Sequence, residues 1–289
     1  MKKILFIFFF MSLTSCYNQE TIVDKSQLLG NDIRLYQNTP AWNLAKAVDA
    51  EDIVKIKQEV NDNKVNVDLK ETRFGHTLLS MAVRNNKYES VKTLLELGAD
   101  PNAADSYMGT TPMIYATQND DLKYLKLLLS FKGNPNSAES APPIKGNIVR
   151  STALVKSTDY TIINSLEKVK MLVEAGANVN FDNDARTNSP LSNALTMGKM
   201  DVVLYLLQQG ANYKREIYTT IDNEKVYILE ALKEKLFDLE SEQYQQKLKV
   251  IEFLKTKGLD YDKEPIPLTT LEEIKNKYPD SWEDYIKRY

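Results

Sequence analysis

Residues 91–102 read VKTLLELGADPN, and other stretches of the chain repeat the design. Residues 169–180 are VKMLVEAGANVN and residues 203–214 are VLYLLQQGANYK. Residues 125–136, LKLLLSFKGNPN, read as a version with one extra residue before the glycine, and 251–262, IEFLKTKGLDYD, as a weaker copy. In each block apolar residues recur at helical spacing, and a glycine follows where a helix end calls for the left-handed conformation. Upstream of four blocks lies a second helical pattern: TLLSMAV at 77–83, TPMIYAT at 111–117, TALVKST at 152–158 and SPLSNAL at 189–195. A hydroxyl residue supplies a capping oxygen, and in two of these segments a proline follows with its φ already set for a first helical turn.

The unit is therefore a helix pair. A small residue marks the same place in each first helix, at Ala47, Ala82, Ala116, Ser157, Ala194 and Ala231, in steps of 35, 34, 41, 37 and 37 residues. Small side chains there let neighbouring helices approach closely. The longest step holds the Pro/Gly-bearing insertion SAESAPPIKGNIVR at 137–150. A period of this length resembles the ankyrin family, whose unit is a turn and two antiparallel helices of about 33 residues. The resemblance covers roughly 39–262, an expected all-α helical solenoid of about six helix pairs. The family's TPLH tetrapeptide is nowhere complete, and its histidine position holds Ser80, Ile114, Val155 and Ser192. One such pair cannot bury its apolar face alone, so the pairs must stack. The first unit, 42–60, carries a charged outer helix that suits an end position. The last is expected to have long helices at about 226–239 and 242–257. Residues 263–289 read as a C-terminal helical cap, with a helix over 271–277 behind Thr270, Glu273 at capping-box spacing, and Trp282, Tyr285 and Ile286 covering the edge.

The resemblance implies a protein partner on the turn tips and the inner-helix face. Here the matching tips are Arg73, Phe74, Tyr107, Met108, Asp184 and Arg186. The matching inner-helix positions are Met81, Arg84, Asn85, Tyr115, Gln118, Asn119, Asn193, Thr196 and Met197. Exposed aromatics, Arg and Met are enriched where interfaces concentrate their binding energy or adapt to a partner.

Catalysis has little to work with. The one histidine, His76, follows Gly75 in a turn; its functional reading is a general base, and the ordinary one a turn residue with a solvated or hydrogen-bonded ring. The chain has one cysteine, so neither an internal disulfide nor a Cys/His zinc site can form. No GxSxG, GxGxxG or GxxxxGK[ST] pattern occurs, and no cofactor or small-molecule substrate is expected. The acidic pairs Asp120-Asp121, Glu272-Glu273 and Glu283-Asp284 sit at helix starts, where they complement the dipole. FDNDARTN at 181–188 lacks the glycine and terminal glutamate of a calcium loop, so no metal is expected there.

The N-terminus reads as an export signal. Lys2 and Lys3 precede the apolar run ILFIFFFM at 4–11, too short to span a bilayer. Leu13-Thr14-Ser15-Cys16 resembles the lipobox of bacterial lipoproteins. That resemblance implies cleavage of 1–15 and acylation of Cys16. Tyr17 stands where the family's inner-membrane retention signal would be Asp, which favours the outer membrane, facing the periplasm. Residues 16–38 are mostly polar and read as a lipidated start and a flexible tether. Without 1–15 the chain has 35 basic and 40 acidic side chains, −5 against −3 for the whole. No basic footprint for nucleic acid is present. The expected function is a lipid-anchored, non-catalytic envelope protein that binds a protein partner. A sharper alternative is an immunity protein that neutralises a secreted antibacterial toxin, such as a type VI secretion lipase effector, in the periplasm.

Overall fold

Each glycine-bearing block is the second helix of a pair. The computed structural model describes residues 22–140, 150–159, 161–181 and 189–289. The export signal, Cys16, Asp184, Arg186 and most of the 137–150 insertion and the 181–188 stretch lie outside the described residues. The first helices are α1 (Trp42–Asp49), α3 (Leu78–Arg84), α5 (Pro112–Thr117), α7 (Ala153–Lys156), α9 (Pro190–Thr196) and α11 (Ile228–Lys233). Their partners are α2 (Ile53–Asn61), α4 (Tyr88–Glu96), α6 (Lys123–Ser130), α8 (Ser165–Glu174), α10 (Met200–Gln208) and α12 (Glu242–Thr256). Two further helices follow, α13 (Leu268–Lys277) and α14 (Trp282–Arg288).

Caps start the inner helices where the hydroxyl residues predict. Thr77, Thr152 and Ser189 accept the backbone N–H three residues on, at 3.2, 3.1 and 3.1 Å. Each such cap contributes about 1 kcal/mol. The inner helices then stack in order: α1 on α3, α3 on α5, α5 on α7, α7 on α9, α9 on α11. The six small residues are all buried at that seam. One continuous apolar core runs from Leu35 to Tyr261 through every pair, as stacking requires. Ile274, Tyr285 and Tyr289 form a second, smaller cluster with Trp282 and Ile286 packed against it.

The family's histidine tie is absent, and an asparagine ladder joins the loops instead. The Oδ1 of Asn102, Asn136 and Asn180 each accepts a backbone N–H one unit on, two residues before its own counterpart, from Asn134, Asn178 and Asn212, all at 2.7 Å. Their Nδ2 groups donate to the carbonyls of Lys132, Gly176 and Gly210 at 2.9–3.2 Å. Asp68 serves the N–H of Asp100 at the ladder's start.

Several expectations are corrected. The block at 125–136 has no extra residue. Lys132 takes the left-handed position with φ 65°, as Gly98 does with φ 91°. Gly133 instead fills the place of Ala99, where Met113 Sδ would lie 2.5 Å from any Cβ. No helix spans 226–239: an antiparallel hairpin pairs Tyr218–Thr219 with Lys225–Val226, and α11 is only six residues long. Helix α13 begins behind Pro267 at Leu268, so Thr270 is inside its first turn and caps nothing. Finally, the segment expected to be a slack tether is folded from Asp24 onward. It makes 3-10 turns at Lys25–Gln27 and Ile33–Tyr36, and Leu35 and Tyr36 are completely buried. Among the described residues no helix is long and apolar enough to cross a membrane.

Candidate docking surface

Turn tips are flexible unless their backbone N–H groups find acceptors. Two buried acids 34 residues apart, Glu71 and Asp105, provide them here, and a third, Glu139, stands 34 residues farther on. Glu71 accepts the N–H groups of Arg73, Phe74 and His76 at 2.7–2.9 Å. One oxygen of Asp105 accepts those of Tyr107, Met108 and Gly109 at 2.8–3.1 Å. Glu139 accepts from Ser151 at 3.0 Å. Adjacent tips are joined by backbone bonds, Ser106 N–H to Phe74 carbonyl at 2.8 Å and Ser140 N–H to Met108 carbonyl at 3.1 Å. Gly75, at φ 75°, is required because a Cβ there would lie 2.7 Å from the Ser106 backbone nitrogen. The acids escape a reading of the sequence alone, although their 34-residue spacing is visible in it.

His76 crosslinks these tips. It is 4% exposed, and its Nδ1 lies 2.6 Å from the carbonyl of Gly30. A carbonyl only accepts, so Nδ1 carries a proton. Nε2 lies 3.1 Å from the Tyr115 hydroxyl and 3.5 Å from Asp105 Oδ2. The Tyr115 hydroxyl donates to that same Asp105 oxygen at 2.8 Å. Burial alone would raise the Asp105 carboxyl, but the hydrogen bonds from His76, Met108 and Tyr115 outweigh it and hold the group well below the usual range. Burial and the neighbouring carboxylate push the Tyr115 phenol well above its ordinary value. Both imidazole nitrogens are engaged, and His76 thereby crosslinks the tips to the N-terminal segment.

Around this network the expected surface residues part company. Tyr107, Gln118, Thr196 and Met197 are exposed, and Phe74 and Met108 are half-buried. Phe74 stacks on His76 at 5.6 Å between centroids and meets Tyr107 edge-on at 5.9 Å. The Arg73 and Arg84 guanidiniums lie 4.6 and 4.9 Å over Phe74 and Tyr115. Arg73 and Asn85 also serve the fold itself, since both bond the folded N-terminal segment. Asn193 donates to Thr158 Oγ1 at 2.7 Å, tying α9 to the turn after α7. Two positions do not belong on a docking face. Met81 is fully buried, because it points between stacked helices and not along their outer rim. Asn119 is also buried, with its Nδ2 committed to the Val83 carbonyl at 2.9 Å.

Comparison with known proteins bears on the fold. Residues 14–139 match the family model for ankyrin repeats (3 copies). Among solved structures the chain is similar to the ankyrin repeat domain of Bcl-3, described as a unique member of the IkappaB protein family. The identity is 23% and the TM-score 0.54, over 75% of this chain and 86% of that one. No curated protein matches the chain. The fold is an all-α ankyrin-repeat solenoid.

Proposed function

We propose that this chain is a lipid-anchored, non-catalytic binding protein of a bacterial envelope. Its docking surface for a protein partner would be the row of turn tips and inner-helix ends. The observation that supports this most is the dense hydrogen bonding of the tips. Glu71 and Asp105 hold the backbone of Phe74, Tyr107 and Met108, and tip-to-tip backbone bonds join one tip to the next. A pre-ordered aromatic surface loses little conformational entropy on binding. The N-terminal pattern, with Cys16 at its end, supports export and acylation, and Tyr17 supports the outer membrane. Within this class, neutralising a toxin that reaches the periplasm is the sharper reading. A fixed surface suits one partner held tightly and released slowly.

The test is capture from envelope extracts by the chain from Tyr17 onward, beside a variant carrying Tyr107→Ala and Arg186→Ala. One partner retained by the parent and lost by the variant is the expected result. A partner retained equally by both would place docking elsewhere. Deletion of the gene should sensitise cells to one co-cultured toxin producer if the immunity reading holds, and unchanged survival against neighbouring strains would end it.

A further inference from the structure

The N-terminal segment is a folded strap. Val23 N–H donates to Gln37 Oε1 at 3.0 Å, and Lys25 Nζ donates to the carbonyls of Leu35 and Gln37 at 2.7 and 2.6 Å. The segment thus doubles back on itself. Arg73 clasps it from the neighbouring tip, donating to the carbonyls of Lys25 and Leu28. Farther in, His76 holds Gly30, while Asn31 and Asn85 exchange two hydrogen bonds at 2.8 and 2.9 Å. Residues 22–24, where the described chain begins, thus lie beside Gln37 and Arg73, on the turn-tip edge of the first unit.

We infer that this strap sets the solenoid on a lipid bilayer with the edge of its first tip, at Thr72 and Arg73, toward the lipid, and the Tyr107 and Met108 tip beyond it open to a partner. The partner it meets is then a protein working at the membrane surface. The inference rests on the proposed acylation of Cys16. Eight Cα-to-Cα steps separate Cys16 from Asp24, a span of at most about 29 Å at roughly 3.6 Å per step. A slack chain running from Cys16 to Thr39 would reach about 80 Å on the same scale. The strap replaces a long leash with a short one and fixes the edge from which it emerges. Two apolar side chains stand out on the strap itself: Ile22 is 73% exposed and Leu29 74%. They belong to no apolar cluster among the described residues, and at this edge they would meet the interfacial region of the bilayer, where apolar side chains are stabilised.

The test uses the mature acylated protein in phosphatidylethanolamine–phosphatidylglycerol vesicles carrying a headgroup quencher. The one native cysteine is the acylated one, so an introduced cysteine gives a unique label. Thr72→Cys places a dye on the tip, and Lys92→Cys places it on outer helix α4 of the same unit. The tip dye should be quenched at least threefold more than the helix dye. A 20-residue Gly/Ser insert after Tyr17 should bring the two close to equality. Equal quenching without the insert, in protein whose mass confirms acylation, would overturn the orientation. A mature mass without acyl chains, with protein remaining off the vesicles, would overturn the anchor itself and the orientation with it.

Discussion

The Nδ1 of His76 lies 2.6 Å from the carbonyl oxygen of Gly30, joining the turn before α3 to a segment 46 residues earlier. This bond is one of several that join the strap to the first units, and it has a direct consequence. His76→Ala removes the donor to Gly30 and one hydrogen-bonding neighbour of Asp105. The loss should be about 2 kcal/mol in urea unfolding, the scale of a buried hydrogen bond involving a charged group. Trypsin should also cut faster after Lys25 while the repeats stay intact. An unchanged cutting rate would mean that the strap is held without the imidazole.

The asparagine ladder makes a second prediction. Asn136→Ala strips an acceptor from the Asn178 N–H and a donor from the Gly176 carbonyl. A cost of about 1–2 kcal/mol is expected, since both bonds lie near the surface where water can replace them. Asn136→Asp should recover part of it by keeping the acceptor. Hydrogen exchange at the Asn178 amide is the local readout, and it should quicken in the alanine variant.

Lys168 is a flaw that can be repaired. Its side chain is fully buried, and its Nζ has no hydrogen-bond partner among the described residues. Desolvation lowers its affinity for a proton, with Lys199 adding to the effect and Asp120 opposing it. Its place in α8 matches that of Ser90 in α4, whose hydroxyl donates to the Val48 carbonyl at 2.7 Å. Lys168→Met keeps the length and removes the charge, and should stabilise the fold by about 1–3 kcal/mol. A lower midpoint in thermal unfolding would show that the ammonium is satisfied in solution.

Lys247 gives the protein a pH dependence. The side chain is fully buried between the ring faces of Tyr289 and Tyr261, with Nζ 3.7 and 5.4 Å from their centroids. Burial, with Lys233 beside it, pushes the amine down to about 6. Between that value and about 10.4, its unfolded value, the unfolded chain holds a proton that the folded chain has released. Stability therefore rises with pH across this window, by up to about 1.4 kcal/mol per unit, and the contribution is lost as pH falls toward 6. Lys247→Met should flatten the rise between pH 6 and 9 in chemical unfolding. A variant that keeps the slope would assign it to other groups.

Much of the helix-pair plan is legible in the sequence because its determinants are local. Thr77, Thr152 and Ser189 announce helices that begin one residue later, and Gly98, Gly176 and Gly210 mark helix ends. What stays hidden depends on partners far along the chain. Glu71 and Asp105 look like ordinary surface acids until the tips fold around them. Asn102 and Asn136 look like loop residues until the next unit supplies an N–H. Leu35 and Tyr36 sit in a polar stretch, and only the open flank of α1 makes that stretch fold. Gly133 misleads in another way. Its place in the block suggests the left-handed residue, but it is needed for closeness to Met113, and Lys132 bears the left-handed conformation. Met81 fails as a surface residue because an inner-helix face is narrow, and one position of rotation separates rim from seam.

The central claim is that partners dock on the tips and inner-helix ends of the stacked pairs. Site-specific photocrosslinking in living cells tests it most directly. A photoreactive residue is placed in turn at Tyr107, Gln118 and Met197, and for contrast at Lys92, Lys126 and Lys249 on the outer helices. One adduct of constant added mass, formed from the first three positions and absent from the second, is the predicted result. Adducts that form from the outer-helix positions, with none from the tips and inner-helix ends, would contradict it.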